Sequence, residues 1–171
     1  MQLHSLFGMF ARYNAWSNER VYHAAASLPD EEYRADHGAF FGSVHGTLNH
    51  LLVADRIWMQ RFTGVGSAPR ALDSILYDEL DALRRARKDE DARILTYVDT
   101  LTDEDLAGTI RYRTISKPAE VKQTLSAALP HFFNHQTHHR GQVHCLLTKI
   151  TGDAPPLDLI LYQRESGEGV A

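Results

Sequence analysis

The feature that most constrains the fold is the helical spacing of apolar residues in four long segments of the chain. In the first segment, Leu3, Phe7, Phe10, Val21 and Ala25 recur at intervals that place them on one face of a helix. Shorter segments rich in glycine, proline and polar residues separate the four patterns. In a chain of 171 residues, which is the length of one domain, four amphipathic helices predict an all-α four-helix bundle.

Capping residues and helix breakers predict where the first two helices end and begin. The first helix is expected to stop before Pro29, and residues 29–42 are expected to form a loop. Ser43 is the predicted N-cap of a second helix that runs to about Phe62. The two helices are therefore expected to be joined by irregular structure alone.

The third and fourth helices are predicted from the same signals. The third is expected to start at Asp73 or Ser74, and its charged stretch, residues 84–93, is expected to be a solvated outer face. The fourth begins at about Val121 or Thr124 and ends at Ile150 with Gly152 as its C-terminal cap; Pro130 inside it is expected to bend it or to mark a local start.

Two short elements complete the predicted fold. Residues 109–115 alternate β-branched or aromatic residues with arginine, which indicates a short extended connection. A short terminal helix is expected from Leu157 to about Arg164. The whole chain, residues 1–171, is interpreted as a single helical-bundle domain.

Charge and composition exclude several classes of function. The chain has 22 acidic and 18 basic residues, a net charge of −4, whereas a domain that neutralises phosphates is normally basic. No nucleic-acid partner is therefore expected. No apolar run reaches the length of a membrane span and no signal-peptide core is present, so we expect no membrane partner and a cytoplasmic location. The single cysteine, Cys145, is expected to be a small buried hydrophobe.

The stretch HFFNHQTHHRGQ, residues 131–142, contains four histidines. His135 and His139 are four positions apart, so on a helix their imidazoles lie on one face and can converge on one metal ion. His131 is also four positions from His135 and is the alternative partner, although the preceding proline disturbs the local geometry. His138 is expected to be an outer contact of the site or solvated. If no metal binds, these histidines form the polar face of a helix.

A third metal ligand must come from another helix, and the second helix contains His45 and His50. Five helical residues separate them by about 140° around the axis, so they cannot both point inward. The face around His50 is small and apolar, whereas that around His45 contains Asn49 and Arg56 and is expected to be wet. We therefore predict His50 as the third ligand and expect His144 to face away from the site. A di-iron centre needs Glu-x-x-His motifs, and no histidine of the chain has a glutamate three positions before it.

Three motifs together resemble the DinB/YfiT-like family. They are YNAW at 13–16, FGSVHGTLNHLLVADRIW at 41–58 and NHQTHHRGQ at 134–142. Their order and spacing are similar to that family over nearly the whole chain. The resemblance implies a four-helix bundle, commonly a homodimer, with one divalent metal ion per chain held by three histidines, here His50, His135 and His139.

The resemblance also implies a range of metals and reactions. Zinc or nickel is the first expectation for the metal, with iron, cobalt or manganese as alternatives. Some members of the family act with low-molecular-weight thiols, as mycothiol-dependent maleylpyruvate isomerase and bacillithiol transferases do. We therefore expect a small-molecule substrate and a metal-dependent thiol transferase or isomerase, or a hydrolase if water takes the place of the thiol. The alternative is a non-catalytic, metal-binding dimeric bundle that acts as a sensor or interaction module.

Residues outside the histidines are assigned from the family pattern and from local chemistry. Tyr13, Asn14 and Trp16 are expected to line the substrate pocket; the alternative is that Trp16 fills the core and Asn14 makes a local hydrogen bond.

Three residues of the fourth helix carry further expectations. Arg140 and Gln142 are expected to orient the metal ligands, although Arg140 is equally suited to pair with Asp55. Gly141 in the middle of a helix is expected to mark a close approach of another helix.

Overall fold

The computed structural model describes residues 3–169 of the chain, so the predicted domain, residues 1–171, extends two residues beyond this range at either end. Within it, four long helices dominate; two short helices and one β-hairpin lie in the connections between them, and a third short helix follows the last long one. The elements are α1 (Leu3–Ala25), α2 (Asp30–Arg34), α3 (Val44–Thr63), α4 (Leu80–Thr100), α5 (Asp103–Ala107), β1 (Thr109–Arg113), β2 (Glu120–Thr124), α6 (Leu125–Thr151) and α7 (Leu159–Ser166).

The four long helices form a closed bundle. Helix α1 packs mainly against α4 and α6, and α3 packs mainly against the same two helices, so that α1 lies diagonally opposite α3. The all-α bundle expected from the sequence is thereby confirmed. None of the helices in the described part of the chain is long and apolar enough to cross a membrane.

Several predicted boundaries are confirmed. The Ser43 hydroxyl accepts a hydrogen bond from the Gly46 amide at 2.9 Å and caps α3. Gly152 ends α6 in the left-handed conformation, φ 79°, which glycine adopts without steric cost. Helix α6 continues through Pro130, which lies in its second turn. The extended connection near residues 109–115 is also confirmed as β1, which pairs antiparallel with β2.

One predicted helix boundary and one predicted loop are wrong. The third helix begins at Leu80 and not at Asp73 or Ser74, because residues 64–79 fold back over α3 as irregular chain. The side chain of Asn49 holds this segment: its oxygen accepts from the Leu76 and Tyr77 amides at 2.8 and 3.0 Å. The predicted loop between the first two helices contains the short helix α2, whose first turn carries three acidic residues that favour a helix N-terminus.

The folded-back segment also overturns the expectation that the His45 face is wet. The side chain of His45 is buried under it, and its Nε2–H donates to the Tyr77 carbonyl oxygen at 3.2 Å. Asn49 is buried with it. The polar groups of this face are satisfied by the backbone of residues 64–79, which a periodicity argument confined to the helix does not include.

Two expectations on α6 are also wrong. Cys145 is exposed and not buried. A Cβ atom added to Gly141 would meet no heavy atom within 4 Å, so no close approach of another helix explains this glycine.

The bundle interior consists of two apolar layers with a polar layer between them. On each long helix, buried polar residues fall between the residues of two separate hydrophobic clusters. The first cluster includes Phe7, Met59, Ile94 and Phe132, and the second includes Val21, Leu52, Leu83 and Val143. Seven of the buried polar residues bond or pair with one another, and we call these the polar layer; they are Asn14, Asn18, Asp55, Arg87, Asp91, Gln136 and Arg140.

The polar layer corrects the interpretation of the charged stretch 84–93. Arg87, Glu90 and Asp91 are buried, whereas their neighbours Arg84 and Arg85 are exposed. Helical periodicity turns part of any charged run inward, and here the inward part is neutralised because Arg87 lies 2.6 Å from an Asp55 oxygen and 3.0 Å from an Asp91 oxygen.

Candidate metal centre

Three histidines from two helices meet at one end of the polar layer. His50 of α3 and His135 and His139 of α6 each offer one ring nitrogen, and these nitrogens all lie within 4.8 Å of one another. The i, i+4 spacing of His135 and His139 brings their ring centroids to 4.4 Å. The structure thus brings together the three histidines that the sequence singled out.

The geometry of the cluster fits a metal ion better than it fits hydrogen bonds within the cluster. Two ligands bound tetrahedrally at 2.0–2.1 Å are about 3.3 Å apart, and the Nε2 atoms of His50 and His135 are 3.4 Å apart. Between two aromatic nitrogens this distance is long for a hydrogen bond. The buried Nδ1 of His135 has no hydrogen-bond partner within residues 3–169.

The outer nitrogens of two histidines are held by other parts of the chain. The Nδ1–H of His50 donates to the Leu72 carbonyl oxygen at 2.7 Å, since a carbonyl can only accept. The Nδ1–H of His139 donates to the Gln142 side-chain oxygen at 2.8 Å. Each bond leaves Nε2 without a proton and directed to the cluster, which is the usual arrangement of metal-binding imidazoles.

Burial keeps the cluster neutral. It lowers the pKa of His50 to about 4, against the opposing effect of the Leu72 hydrogen bond. Burial and then the neighbouring histidines lower the pKa of His135 to about 3, and burial also lowers the pKa of His139. The three imidazoles are therefore unprotonated near neutral pH, as metal ligands must be.

Phe41 closes one side of the cluster. Its ring stacks on that of His50 with centroids 3.7 Å apart and an interplanar angle of 18°. Its edge also meets the ring of His139 at 5.5 Å. Sequence reasoning missed this residue and also Leu72. Phe41 lies two residues before the N-cap of α3, but an apolar ring at that position does not by itself indicate a metal site. Leu72 contributes only its backbone oxygen, which any residue could supply, so the sequence gives no sign of it.

No fourth protein ligand joins the group. Within residues 3–169, no other histidine, cysteine, aspartate or glutamate has a ligand atom close enough to belong to it. His131 is exposed, with its ring centroid 5.9 Å from that of His135 and 5.2 Å from Trp58. His138 is also exposed, and the amide nitrogen of Gln142 approaches its Nε2 at 3.4 Å. A metal ion held by these three histidines would therefore keep at least one coordination position free of protein ligands.

The other predicted site residues lie elsewhere. Asn14 belongs to the polar layer, where its amide donates to Asp91 and its oxygen accepts from Arg140. The Tyr13 hydroxyl donates to the Leu157 carbonyl oxygen at 2.6 Å, and the Trp16 indole donates to Glu165. These partners fasten α1 to the C-terminal segment and the bundle interior.

Arg140 does not orient a metal ligand. It donates to the side-chain oxygens of Asn14 and Asn18, and the carboxylate of Asp55 pairs with Arg87 instead. Of the two residues expected to orient the histidines, only Gln142 contacts one of them.

The chain is thus a four-helix-bundle protein in which two helices bring together three neutral imidazoles. This arrangement is typical of helical proteins with a site able to hold a metal ion. The model of the DinB family matches residues 1–168, and the chain belongs to the DinB family. It is also similar to Protein DinB of Bacillus subtilis (strain 168), with 26% identity over 165 residues that cover 88% of this chain and 89% of that protein. The family resemblance found in the sequence motifs is thus confirmed.

Proposed function

We propose that the chain binds one divalent metal ion, zinc or nickel in the first place, through His50, His135 and His139, and that it is a metal-dependent enzyme. Iron, cobalt and manganese remain alternatives, because imidazole is a ligand for several divalent ions. The observation that carries the proposal is the open group of three unprotonated imidazoles with two of their outer nitrogens held by the chain. A structural zinc site is normally closed by four protein ligands, whereas a catalytic site keeps a position free.

The residues of the chain have distinct tasks in this proposal. The Leu72 carbonyl and the Gln142 amide orient His50 and His139, and Phe41 shields the ring face of His50 from water. A bound ion would lower the pKa of a thiol or a water molecule and so supply a nucleophile near neutral pH.

The proposed reaction is a transfer or isomerisation that uses a low-molecular-weight thiol and a small electrophilic substrate. Transfer forms a carbon–sulfur bond, breaks the bond between that carbon and its leaving group, and releases the thiol proton to solvent. Isomerisation adds the sulfur and a proton across a carbon–carbon double bond, allows rotation about the resulting single bond, and then breaks the same carbon–sulfur bond to release the thiol unchanged. With water in place of the thiol the reaction is a hydrolysis. The homodimer and the cytoplasmic location expected from the sequence stay predictions.

Metal analysis of the untagged protein by plasma mass spectrometry tests the metal site. We expect about one divalent ion per chain, lost in His50→Ala and retained in the matched control His144→Ala, which changes a histidine of α6 that lies outside the cluster. The absence of metal after reconstitution with both zinc and nickel would overturn the proposal.

A second assay tests catalysis separately from metal binding. Metal-loaded protein is mixed with an electrophile and with glutathione, bacillithiol or mycothiol, and both the consumption of thiol and the conversion of the electrophile are followed. Turnover that depends on His50 supports the enzyme. A protein that binds metal but turns over none of these mixtures, and hydrolyses none of the electrophiles, would instead be the non-catalytic metal-binding bundle.

A further inference from the structure

A cleft leads from the histidine cluster to the β-hairpin. Its inner part, of about 250 Å³, is lined by His135, His131 and Leu72 among others. Its outer part has a volume of about 650 Å³, which is in the usual size range of small-molecule sites. The two parts adjoin, because they share the lining residues Ile57, Arg61, Tyr112, Thr114 and Ile115.

The outer part of the cleft is strongly basic. Arg61, Arg70, Arg111 and Arg113 line it, and no aspartate or glutamate lines either part. None of these four arginines has a carboxylate within 4.0 Å among residues 3–169, whereas Arg12, Arg20, Arg34, Arg56, Arg87 and Arg93 all have one. In a chain with net charge −4, this is a local excess of unpaired positive charge.

Arg61 lies at the junction of the two parts and is held in place there. Its guanidinium carbon is 4.6 Å from the ring centroid of Trp58 and 4.4 Å from that of Tyr112. One of its nitrogens donates to the Arg113 carbonyl oxygen at 3.2 Å, which leaves further N–H groups for a ligand. Burial lowers the pKa of Arg61, since no carboxylate compensates for the water that the group has lost.

We propose that the cleft binds a small molecule with two or more carboxylate or phosphate groups, held by Arg61 and the arginines of β1, and that this molecule is the thiol co-substrate of the reaction. Planar guanidinium groups bind such anions through paired, charge-assisted hydrogen bonds. An anion held at Arg61 keeps the rest of the molecule in the inner part of the cleft, beside His135. The assignment of this ligand as co-substrate rests on the proposed function.

Three commercially available probes separate the contribution of the thiol to binding from that of the two carboxylates. Mercaptosuccinate carries a thiol and two carboxylates, succinate carries the two carboxylates alone, and 2-mercaptoethanol is a neutral thiol. Their affinities are measured by isothermal titration calorimetry with metal-free and zinc-loaded protein. We expect succinate to bind both forms equally, and mercaptosuccinate to bind the zinc-loaded form more tightly than either of the other two probes.

Variants at the cleft test the arginines. Arg61→Gln and Arg113→Gln should weaken succinate and mercaptosuccinate at least about tenfold, the loss expected for charge-assisted hydrogen bonds, and leave 2-mercaptoethanol unchanged. Arg113 is exposed on the hairpin, so its variant is expected to fold even if Arg61→Gln does not. Arg84→Gln, an exposed arginine of α4 outside the cleft, is the matched control and should bind all probes as the wild type does.

The two proposals fail in different ways. If zinc is bound through His50 but the dianions bind Arg61→Gln and Arg113→Gln as they bind the wild type, or do not bind the wild type, the anion site is wrong and the metal site stands. If succinate needs the arginines but mercaptosuccinate gains nothing from zinc, the cleft is an anion site and its ligand is not the thiol of the reaction. If no metal binds at all, the proposed function fails on its own assay.

Discussion

Adjacent residues of α6 belong to two polar clusters of different character. His135 and His139 point to the open histidine cluster, and the residues that follow them, Gln136 and Arg140, point into the polar layer. One step along a helix rotates a side chain by about 100°, so a single helix can serve both. Both clusters follow helical spacing, but Gln136 and Arg140 are fully buried whereas His135 is half-buried. They differ further in whether the chain itself supplies partners of opposite charge.

In the polar layer, the chain supplies partners of opposite charge. Arg87 lies between the carboxylates of Asp55 and Asp91, and Asn18 links Asp91 to Arg140. Gln136 donates to Asp55 and so ties α6 to α3. All four long helices contribute residues to the polar layer, so its hydrogen bonds and ion pairs help to fix the packing of the helices against one another.

In the histidine cluster, three imidazoles that burial keeps neutral converge, and among residues 3–169 no carboxylate belongs to the group. Convergent lone pairs repel one another unless an external group joins them. A structural polar cluster therefore differs from a ligand site in whether the chain itself provides partners for its polar groups. The residue types alone do not make this distinction. Three predictions test this distinction, from the largest expected effect to the smallest.

The largest effect is expected in the polar layer. Arg87→Met removes the cation between two buried carboxylates, and breaking a buried pair in this way costs about 3–5 kcal/mol. Unfolding in urea should show this loss in the metal-free and the metal-loaded protein alike, because the layer does not depend on the ligand. Arg85→Met changes an exposed arginine of the same helix and should alter the free energy of unfolding by less than about 0.5 kcal/mol. Equal stabilities of the two variants would contradict the role given to the layer.

The second effect is the acid sensitivity of the metal-free protein. In the unfolded chain His50 and His135 bind protons near pH 6.5, but in the folded chain only near pH 4 and pH 3. Between these values the unfolded state binds more protons, so stability is complete above pH 6.5 and falls as the pH is lowered. Since one pKa unit corresponds to about 1.4 kcal/mol and His135 is only half-buried, we expect a loss on the order of 2 kcal/mol between pH 7 and pH 5.

Thermal unfolding across this pH range measures that loss. The matched control is the double variant His50→Ala and His135→Ala, which lacks the groups responsible and should show a shallower decline. If the double variant declines as steeply as the wild type, the histidines are not the source of the acid sensitivity.

The smallest effect is expected at the support of the histidine cluster. Gln142→Ala removes the acceptor that orients His139, and loss of such an outer contact typically lowers metal affinity 10- to 100-fold. Competition with a chromogenic zinc chelator measures this change. Cys145→Ser, an exposed position of the same helix, should leave the affinity unchanged. An unchanged affinity in Gln142→Ala would show that the ring of His139 is held by packing alone.

Much of the fold was predictable because helices are local. The apolar spacing of α1, α3 and α6, the cap at Ser43 and the terminal glycine at 152 all depend on interactions within a few residues. The start of α4 was not predictable, because Leu76 and Tyr77 have their hydrogen-bond partner, Asn49, in α3, 27 and 28 positions earlier in the chain.

The sequence by itself determined a bundle of four helices and the i, i+4 pair of histidines. It also singled out His50, although the His45 face that was expected to be wet is buried. Only the tertiary structure decided that Leu72 and Phe41 complete the cluster, that part of the charged stretch of α4 is buried, and that a basic cleft adjoins the histidines. The reason is that periodicity reports which face of an element turns inward, whereas the identity of its partners depends on how separate elements pack. Backbone carbonyls and ion pairs between helices leave no local pattern, so they became visible only in the folded chain.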